Sequence, residues 1–392
     1  MKSLHLRTGR DKSLRRRHPW VFSGAVERVD GAPGSGETVL VKSAEGKPLA
    51  LAAYSPQSQI RARVWTFDTN ANVDEALVAA KIEKAVGLRG RLEDANHTNA
   101  LRLVHGESDG LPGLVADRYA DVIVAQFLSA GMERWREAIL DVLARLPGCE
   151  AVFERSDADV RRLEGLEPRV GFARGNRQAT RCPIIEHGLQ FRVDIEAGQK
   201  TGFFLDQRAN RQRVRALAAG REALDAFCYT GGFAVAALAG GAASVTAVDS
   251  SAPALAVARE NAAANGAAIA FEQADVFAYQ RGLRDRGRAF DLVILDPPKF
   301  APTAAQAKNA ARAYKDINLM ALKLLRPGGL LATFSCSGGV SAELFQSIVA
   351  GAAADAGVDA KILERFGAAA DHPVALEFPE GDYLKGLLVV RG

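Results

Sequence analysis

Two short segments of the chain combine residue types that can do chemistry. The first is Asp296-Pro297-Pro298-Lys299-Phe300. Paired prolines stiffen the backbone, the carboxylate can accept from an exocyclic amine, and the Phe300 ring can stack on a base. The second is Phe334-Ser335-Cys336-Ser337-Gly338. Carbon 5 of a pyrimidine is too poor a nucleophile to take an alkyl group directly. A thiolate that adds to carbon 6 makes carbon 5 enamine-like, and cysteine is the side chain suited to that covalent step. With both segments at one pocket, Cys336 would attack the ring and Asp296 would hold the amine and ring nitrogen while charge develops. Pro297, Pro298, Lys299 and Phe300 would line the base site. A lone cysteine is more often a small buried apolar residue, and a stiff loop after a strand is often structural. The chemistry therefore depends on the elements that carry the two segments.

Those elements alternate. From about residue 222, β-type runs at 223–227, 244–248, 269–272, 291–295, 330–334, 361–365 and 384–390 are separated by helical stretches. The best marked helix is 252–265, with Ser251 as N-cap, Pro253 in the first turn and Gly266 just past its end. Short apolar strands alternating with helices predict a parallel, doubly wound α/β sheet. Ligands of such sheets bind beyond the carboxyl ends of the strands, and both chemical segments follow strands. Acids stand at four successive strand ends. The first opens Asp225-Ala226-Phe227-Cys228-Tyr229-Thr230-Gly231-Gly232, the second is Asp249 before Ser250, the third is Asp275 before Val276, and the fourth is Asp296. The glycines let backbone approach a ligand, Asp249 can take two ribose hydroxyls, and Asp275 with the Val276 amide can read an adenine edge. The dinucleotide fingerprint G-x-G-x-x-G is absent. This pattern resembles class I methyltransferases, and the resemblance implies S-adenosylmethionine as cofactor.

The N-terminal half reads differently. Residues 19–22, 37–41 and 60–65 are β-type runs punctuated by Gly and Pro, as in a small β-barrel. A helix is predicted at 73–87, then a strand pair at 101–104 and 122–127, a helix at 132–146 and a strand at 151–154, a compact middle α/β domain. The reading divides the chain at 1–74, 75–184 and 185–392. Its length of 392 residues, 48% hydrophobic content and 24% charged content are those of a globular protein with several domains. The four cysteines form no C-x-x-C pair, so no metal site or disulfide framework is predicted. The start is basic without an apolar stretch, and no run is long enough to span a bilayer. A cytoplasmic protein with reduced thiols and no membrane partner is the expectation.

Net charge is only +4, but the cations cluster. Arg15, Arg16 and Arg17 stand in a basic N-terminus, and Arg169, Arg174, Arg177 and Arg181 lie in a stretch without an acid. Such clusters neutralise phosphates or form a solvated surface.

The whole chain resembles the PUA-domain family of bacterial 23S ribosomal RNA cytosine-5 methyltransferases. The likeness rests on Arg16-Arg17-His18-Pro19-Trp20-Val21-Phe22, Gly198-Gln199-Lys200-Thr201-Gly202-Phe203-Phe204-Leu205-Asp206-Gln207-Arg208, Tyr229-Thr230-Gly231-Gly232-Phe233, Asp296-Pro297-Pro298-Lys299-Phe300, Tyr314-Lys315-Asp316-Ile317-Asn318, Ser335-Cys336-Ser337-Gly338 and Asp371-His372-Pro373. It implies an RNA-binding PUA β-barrel, a small middle α+β domain, a C-terminal Rossmann-like methyltransferase domain, large-subunit ribosomal RNA as partner and Cys336 as nucleophile. The family pattern has Ser where this chain has Cys228. Gln207 and Arg208 are placed to reach the cofactor carboxylate, or to serve structure alone. The base that removes the carbon-5 proton stays open among Asp371, Glu380 and a water, and a homodimer is left open. Two other functions remain: an amino-nitrogen RNA methyltransferase using the Asp296 loop, and a non-catalytic RNA-binding scaffold.

Overall fold

The computed structural model of the chain describes residues 2–92, 97–300 and 307–392, without the side chains of 307 and 309. They form two compact units, Met1–Ile185 with Val193–Leu205 and Ala370–Gly381, and Glu186–Arg192 with Asp206–Ala369 and Asp382–Gly392.

The first unit holds two sheets. One contains β1 (Ser3–Leu6), β2 (Trp20–Phe22), β3 (Val26–Asp30), β4 (Thr38–Lys42), β5 (Pro48–Tyr54) and β6 (Ile60–Thr66), with the short helix α1 (Lys12–Arg15). Its order is β2-β6-β5-β4-β1-β3, antiparallel except where β1 runs parallel to β4. Every second residue of the inner strands (Val39 and Val41, Ala50 and Ala52, Ala62 and Val64) enters one core with Leu4, Leu6, Leu14 and Val21. The strands predicted from sequence correspond to β2, β4 and β6. The edge strand β3 was not predicted, because Glu27, Arg28 and Asp30 face solvent along it.

The other sheet follows α2 (Glu75–Arg89), which the Asp74 carboxylate caps by accepting from Leu77 N at 2.9 Å. It comprises β7 (Ala100–His105), β8 (Leu114–Tyr119), β9 (Val122–Phe127), β10 (Ala151–Ser156) and β11 (Arg169–Arg174), ordered β11-β10-β9-β8-β7. Helices α3 (Ala130–Arg134), α4 (Arg136–Ala144) and α5 (Val160–Leu163) complete it. Two expectations are corrected. The predicted strand pair is not a pair: β8 lies between β7 and β9 and bonds to both. The sequence hides β8 because Asp117-Arg118 interrupts its apolar run. Asp117 is fully buried, and Arg102 donates to it from Nε at 2.6 Å and Nη2 at 2.8 Å. The predicted single helix breaks at Trp135 (φ −97°, ψ 11°), leaving α3 and α4.

The arginines of 169–181 are also not a bare cationic patch. Arg169 lies 3.2 Å from Glu133, Arg174 2.8 Å from Glu137 and 2.7 Å from Asp141, and Arg177 pairs with Asp121. Arg181 is 3.9 Å from Asp194. The acids come from other elements, so the local sequence does not show them.

A hairpin, β12 (Arg181–Glu186) and β13 (Leu189–Asp194), precedes the doubly wound part. There α6 (Arg208–Leu217), β14 (Glu222–Ala226), α7 (Gly232–Ala239), β15 (Ser244–Asp249), α8 (Ala252–Ala264), β16 (Ala270–Gln273), α9 (Val276–Asp285), β17 (Phe290–Leu295), α10 (Ala307–Leu324), β18 (Leu325–Ser335), α11 (Ala342–Ala356), β19 (Ala360–Phe366) and β20 (Lys385–Arg391) follow. The order β16-β15-β14-β17-β18-β20-β19 contains all seven predicted strands. It is parallel apart from β20, which runs against β18 and β19. Both faces are covered: Leu224, Val293 and Leu331 pack on one side, Ala223, Leu292 and Leu330 on the other. The strand order reverses between β14 and β17, which puts a binding crevice at their carboxyl ends.

One buried ion pair in the first unit carries a stability test. The Glu164 carboxylate accepts from Arg63 Nη1 at 2.7 Å, Ser55 Oγ at 2.8 Å and Ala130 N at 3.1 Å. Burial raises its pKa, but Arg63, Ser58, Ser55 and the Ala130 amide outweigh that and hold it below the usual carboxylate range. A depressed folded pKa means stability present at neutral pH and lost as pH falls through that pKa. Glu164→Ala strands Arg63 and is expected to cost about 3–5 kcal/mol. Urea unfolding at neutral pH and near pH 4 checks both statements: the gap between wild type and variant should narrow in acid.

Candidate active site

The turn after β14 passes through Phe227 (φ 65°), Tyr229 (φ 48°) and Gly231 (φ 80°). Left-handed geometry at two non-glycine residues is costly and persists only where surroundings enforce it. Here Cys228 N donates to Val248 O at 3.0 Å, and Tyr229 N donates to Asp249 Oδ2 at 2.8 Å. Gly231 is needed for its φ and for space, since an added Cβ would stand 3.2 Å from Ala258 Cβ. Thr230 is held through its carbonyl, which accepts from Asn261 Nδ2 at 2.9 Å, and Gly232 opens α7.

The acids at the strand ends have different surroundings. Asp249 also accepts from Ser251 N at 2.9 Å, and each of its oxygens keeps a lone pair for a hydroxyl. Ser250 beside it is exposed. Asp275 caps α9 by accepting from Ala278 N at 2.9 Å, and Val276 behind it is buried in the core. Asp296 accepts from Gln207 Nε2 at 3.0 Å, while Gln207 Oε1 accepts from Asn210 Nδ2 at 2.6 Å. Gln207 is thus brought to the chemical loop. Arg208, the first residue of α6, is fully buried. Asp225 differs from all of these. It is 0% exposed, and neither carboxylate oxygen has a hydrogen-bond partner among the described residues. Burial first, then the charges of Asp296 and Asp249, push it up to about 8, offset in part by the Ala234 amide.

Cys336 follows the last residue of β18, half-buried. Three elements meet there. Tyr314 of α10 bonds through its hydroxyl to Ser337 Oγ at 2.9 Å. Lys385, at the head of β20 opposite Ser335, donates from Nζ to Ser337 O at 2.9 Å and Val340 O at 2.6 Å. Tyr314 links the two segments, since its hydroxyl bonds the residue after Cys336 and its ring packs on Phe300 of the Asp296 loop, and the parallel neighbours β17 and β18 bring both segments to one edge of the sheet. Phe300 is half-buried, its ring 4.9 Å from Tyr314 and 6.2 Å from Phe277, so its orientation is set before any base arrives. Pro297 is buried, whereas Pro298 and Lys299 are exposed. Cys228 is buried, and burial with Asp225 and Asp249 pushes its thiol far up, out of reactive range. Tyr314 and Lys385 were not singled out as site residues. The first carried only a family motif without a role, and the second is one charge heading an apolar strand.

The other predicted residues lie in the first unit. Asp371 is fully buried, accepts from Arg102 N at 2.9 Å and pairs with His372 Nδ1 at 3.0 Å. Glu380 lies 3.2 Å from His18 Nε2. Arg15 is paired with Asp11 at 2.7 Å, Arg16 is exposed, and the Arg17 guanidinium sits over the Phe67 ring at 5.8 Å. Thr201 donates to Asp117 Oδ2 at 2.6 Å, and Phe203 N donates to the Tyr119 hydroxyl at 3.1 Å, anchoring that stretch of the Gly198–Arg208 motif.

Residues 171–387 match the model of an S-adenosylmethionine-dependent methyltransferase family, and residues 4–67 match a PUA-like domain. Proteins named ribosomal RNA large subunit methyltransferase I from Klebsiella pneumoniae and Shewanella amazonensis are 50% and 49% identical to the chain over 387 and 389 residues. These alignments cover 98% of this chain and 96% and 98% of the relatives. The chain belongs to the ribosomal RNA large subunit methyltransferase I family. Among solved structures, an S-adenosylmethionine-dependent methyltransferase of Streptococcus mutans matches with a TM-score of 0.86 at 21% identity, and a methyltransferase complexed with SAH with 0.87 at 22%. Both pairs cover 100% of each chain, and at that identity they speak for the fold.

The residues at the strand ends of this family member fit its cofactor. A buried carboxylate without a hydrogen-bond partner is costly to ionise, and a cationic group such as the ammonium of S-adenosylmethionine would offset that cost. Asp225 also yields a pH prediction. Its pKa is raised from 3.8 to about 8 on folding, so the folded chain holds an extra proton between those values, and stability falls as pH rises across that window. Asp225→Asn removes this liability. The ligand-free variant is expected to unfold at a higher temperature than wild type near pH 8, with little difference near pH 4, and to bind S-adenosylmethionine at least tenfold more weakly. Equal melting temperatures near pH 8 would mean that the carboxylate is satisfied after all.

Proposed function

We propose that the protein methylates carbon 5 of a cytosine in large-subunit ribosomal RNA, with Cys336 as covalent nucleophile. The observation that carries this reading is that Cys336 and Asp296, 40 positions apart, follow neighbouring parallel strands, with Tyr314 bonded to Ser337 on one side and packed on Phe300 on the other. The acids follow the neighbouring strands of the same parallel sheet edge. Asp225 would hold the cofactor's ammonium, Asp249 its ribose hydroxyls, and Asp275 with the Val276 amide its adenine. The cofactor supplies the methyl group as an electrophile.

The chain's own residues do the rest. The Cys336 thiolate adds to carbon 6 of a cytosine that lies outside a base stack. Asp296, fixed by Gln207, accepts from the exocyclic amine and stabilises the charge that moves onto the ring. Phe300, oriented by Tyr314 and Phe277, offers an aromatic wall. Once carbon 5 is methylated, its proton leaves to a base and the thiolate is expelled.

The RNA strand would engage the first unit at a cavity of about 1030 Å³ lined by Arg17, Phe67, Lys81, Lys84, Leu88 and Arg91 among others. The α2 residues recur at spacings of three and four, so they share one helix face. Burial and the neighbouring Lys84 push the Lys81 ammonium down, a cost that an anion would offset. Of the acids on the same wall, Glu107 already accepts from Trp20 Nε1 at 2.8 Å and Asp109 from Arg89 at 2.7 Å. Asp68, Glu83 and Glu377 also border the cavity, so it suits a strand with bases to stack better than a bare chain of phosphates.

Two outcomes are expected. Cys336→Ser should abolish methyl transfer while cofactor affinity is kept, and RNA carrying 5-fluorocytosine should trap wild type, but not the variant, as a covalent adduct. A Cys336→Ser enzyme with near-normal turnover would promote amino-nitrogen transfer centred on Asp296. Charge reversal of Arg17, Lys84 and Arg91 together should weaken binding of a single-stranded RNA at least tenfold and flatten its salt dependence, with calorimetric cofactor affinity unchanged. RNA affinity indifferent to the triple change would assign the cavity no part in binding.

A further inference from the structure

Lys385 is an oddity of its strand. β20 is apolar along Leu387, Leu388 and Val389, and all three are buried. Its first residue is a lysine, half-buried, whose ammonium turns inward to two carbonyls instead of outward to water. In register it stands opposite Ser335, the residue before the thiol. Its bonds go to Ser337 O, one residue after the thiol, and to Val340 O, which closes the same turn. The ammonium therefore caps the turn that presents Cys336.

We propose that Lys385 is a positioning residue for the covalent step: its fixed positive charge beside the Cys336 turn stabilises the thiolate and holds it aimed at the base. The proposal rests on Cys336 being the nucleophile. No proton passes between the two side chains. The thiol releases its proton to solvent, the ammonium keeps all of its own, and the effect is that of a charge held at a fixed place.

The surrounding charges explain why such a cation is needed. Asp296 bears on the same edge, and a carboxylate there opposes formation of a second anion. Tyr314 cannot help as a charge: burial pushes its hydroxyl up, so it stays neutral while bonding Ser337. Lys299 adds positive charge but is exposed, where water screens it. Lys385 is the inward cation of the group. Burial and Lys299 lower its pKa, while Asp382 and Cys336 raise it, so thiolate and ammonium favour one another's charged forms.

The test separates charge from packing. In the full-length protein, alkylation of Cys336 by iodoacetamide is followed against pH by peptide mass spectrometry, with half-buried Cys149 as internal reference. Lys385→Gln keeps a donor for the carbonyls without the charge, and Lys385→Arg keeps the charge. In the Gln variant the midpoint should rise by about one pH unit or more. Single-turnover methyl transfer at neutral pH should fall at least tenfold and recover in part as pH is raised. In the Arg variant both should stay near wild type, with cofactor binding retained throughout. An unshifted midpoint in the Gln variant, or equal shifts in both variants, would reduce Lys385 to a structural clasp. If Cys336→Ser proves active, the nucleophile reading fails, whereas the alkylation midpoints still report whether Lys385 governs the thiol.

Discussion

A carboxylate that cannot be ionised comfortably without a ligand lies at the centre of the second unit. Asp225 is the penultimate residue of β14, an inner strand of the largely parallel sheet, is fully buried, and has Asp296 and Asp249 as its charged neighbours. The arrangement follows from topology. Parallel strands deliver their carboxyl ends to one edge, and the order reversal between β14 and β17 leaves a gap there. Any acids at those ends are therefore gathered together whether or not they repel. A cationic, hydroxyl-rich cofactor suits such a gathering, because it supplies the charge and the donors that the protein leaves out.

Elsewhere the chain treats buried charge differently. Arg102 with Asp117, Arg63 with Glu164, Arg89 with Asp109, and Arg211 with Glu186 are paired at 2.6–2.7 Å. Removing one partner of such a pair leaves the other stranded, which is expensive even though the intact pair adds little net stability. The contrast between closed pairs and the open Asp225 marks the difference between scaffold and site.

The reacting edge depends on a similar gathering. β18 and β20 run antiparallel, so the start of one lies beside the end of the other. That places a lysine near a cysteine 49 positions away in the chain. Tyr314, from α10, ties the same turn to the aromatic cluster around Phe300. Thiol, carboxylate, lysine and rings thus come from the ends of three strands and from two helices.

Much of this was legible in the sequence. The seven strands of the doubly wound sheet were readable because buried parallel strands are short apolar runs between helices, and the acid series because its members stand in or shortly after four successive runs. The segments around Asp296 and Cys336 stood out as candidates by residue type. What tertiary structure decided was which charges meet. β8 was invisible because Asp117 breaks its apolar run, and donors distant in sequence, the Arg102 guanidinium from a neighbouring strand and the Thr201 hydroxyl, make that burial tolerable. The arginines of 169–181 read as a phosphate site or a solvated surface, yet acids from α3, α4, β13 and the turn before β9 stand beside them. Gln207 read as a cofactor ligand or a structural residue, and only the fold shows its bond to Asp296. Hydrophobic periodicity is local and survives in one dimension. Electrostatic pairing acts through space over a few ångströms, so it belongs to the folded chain and cannot be read along it.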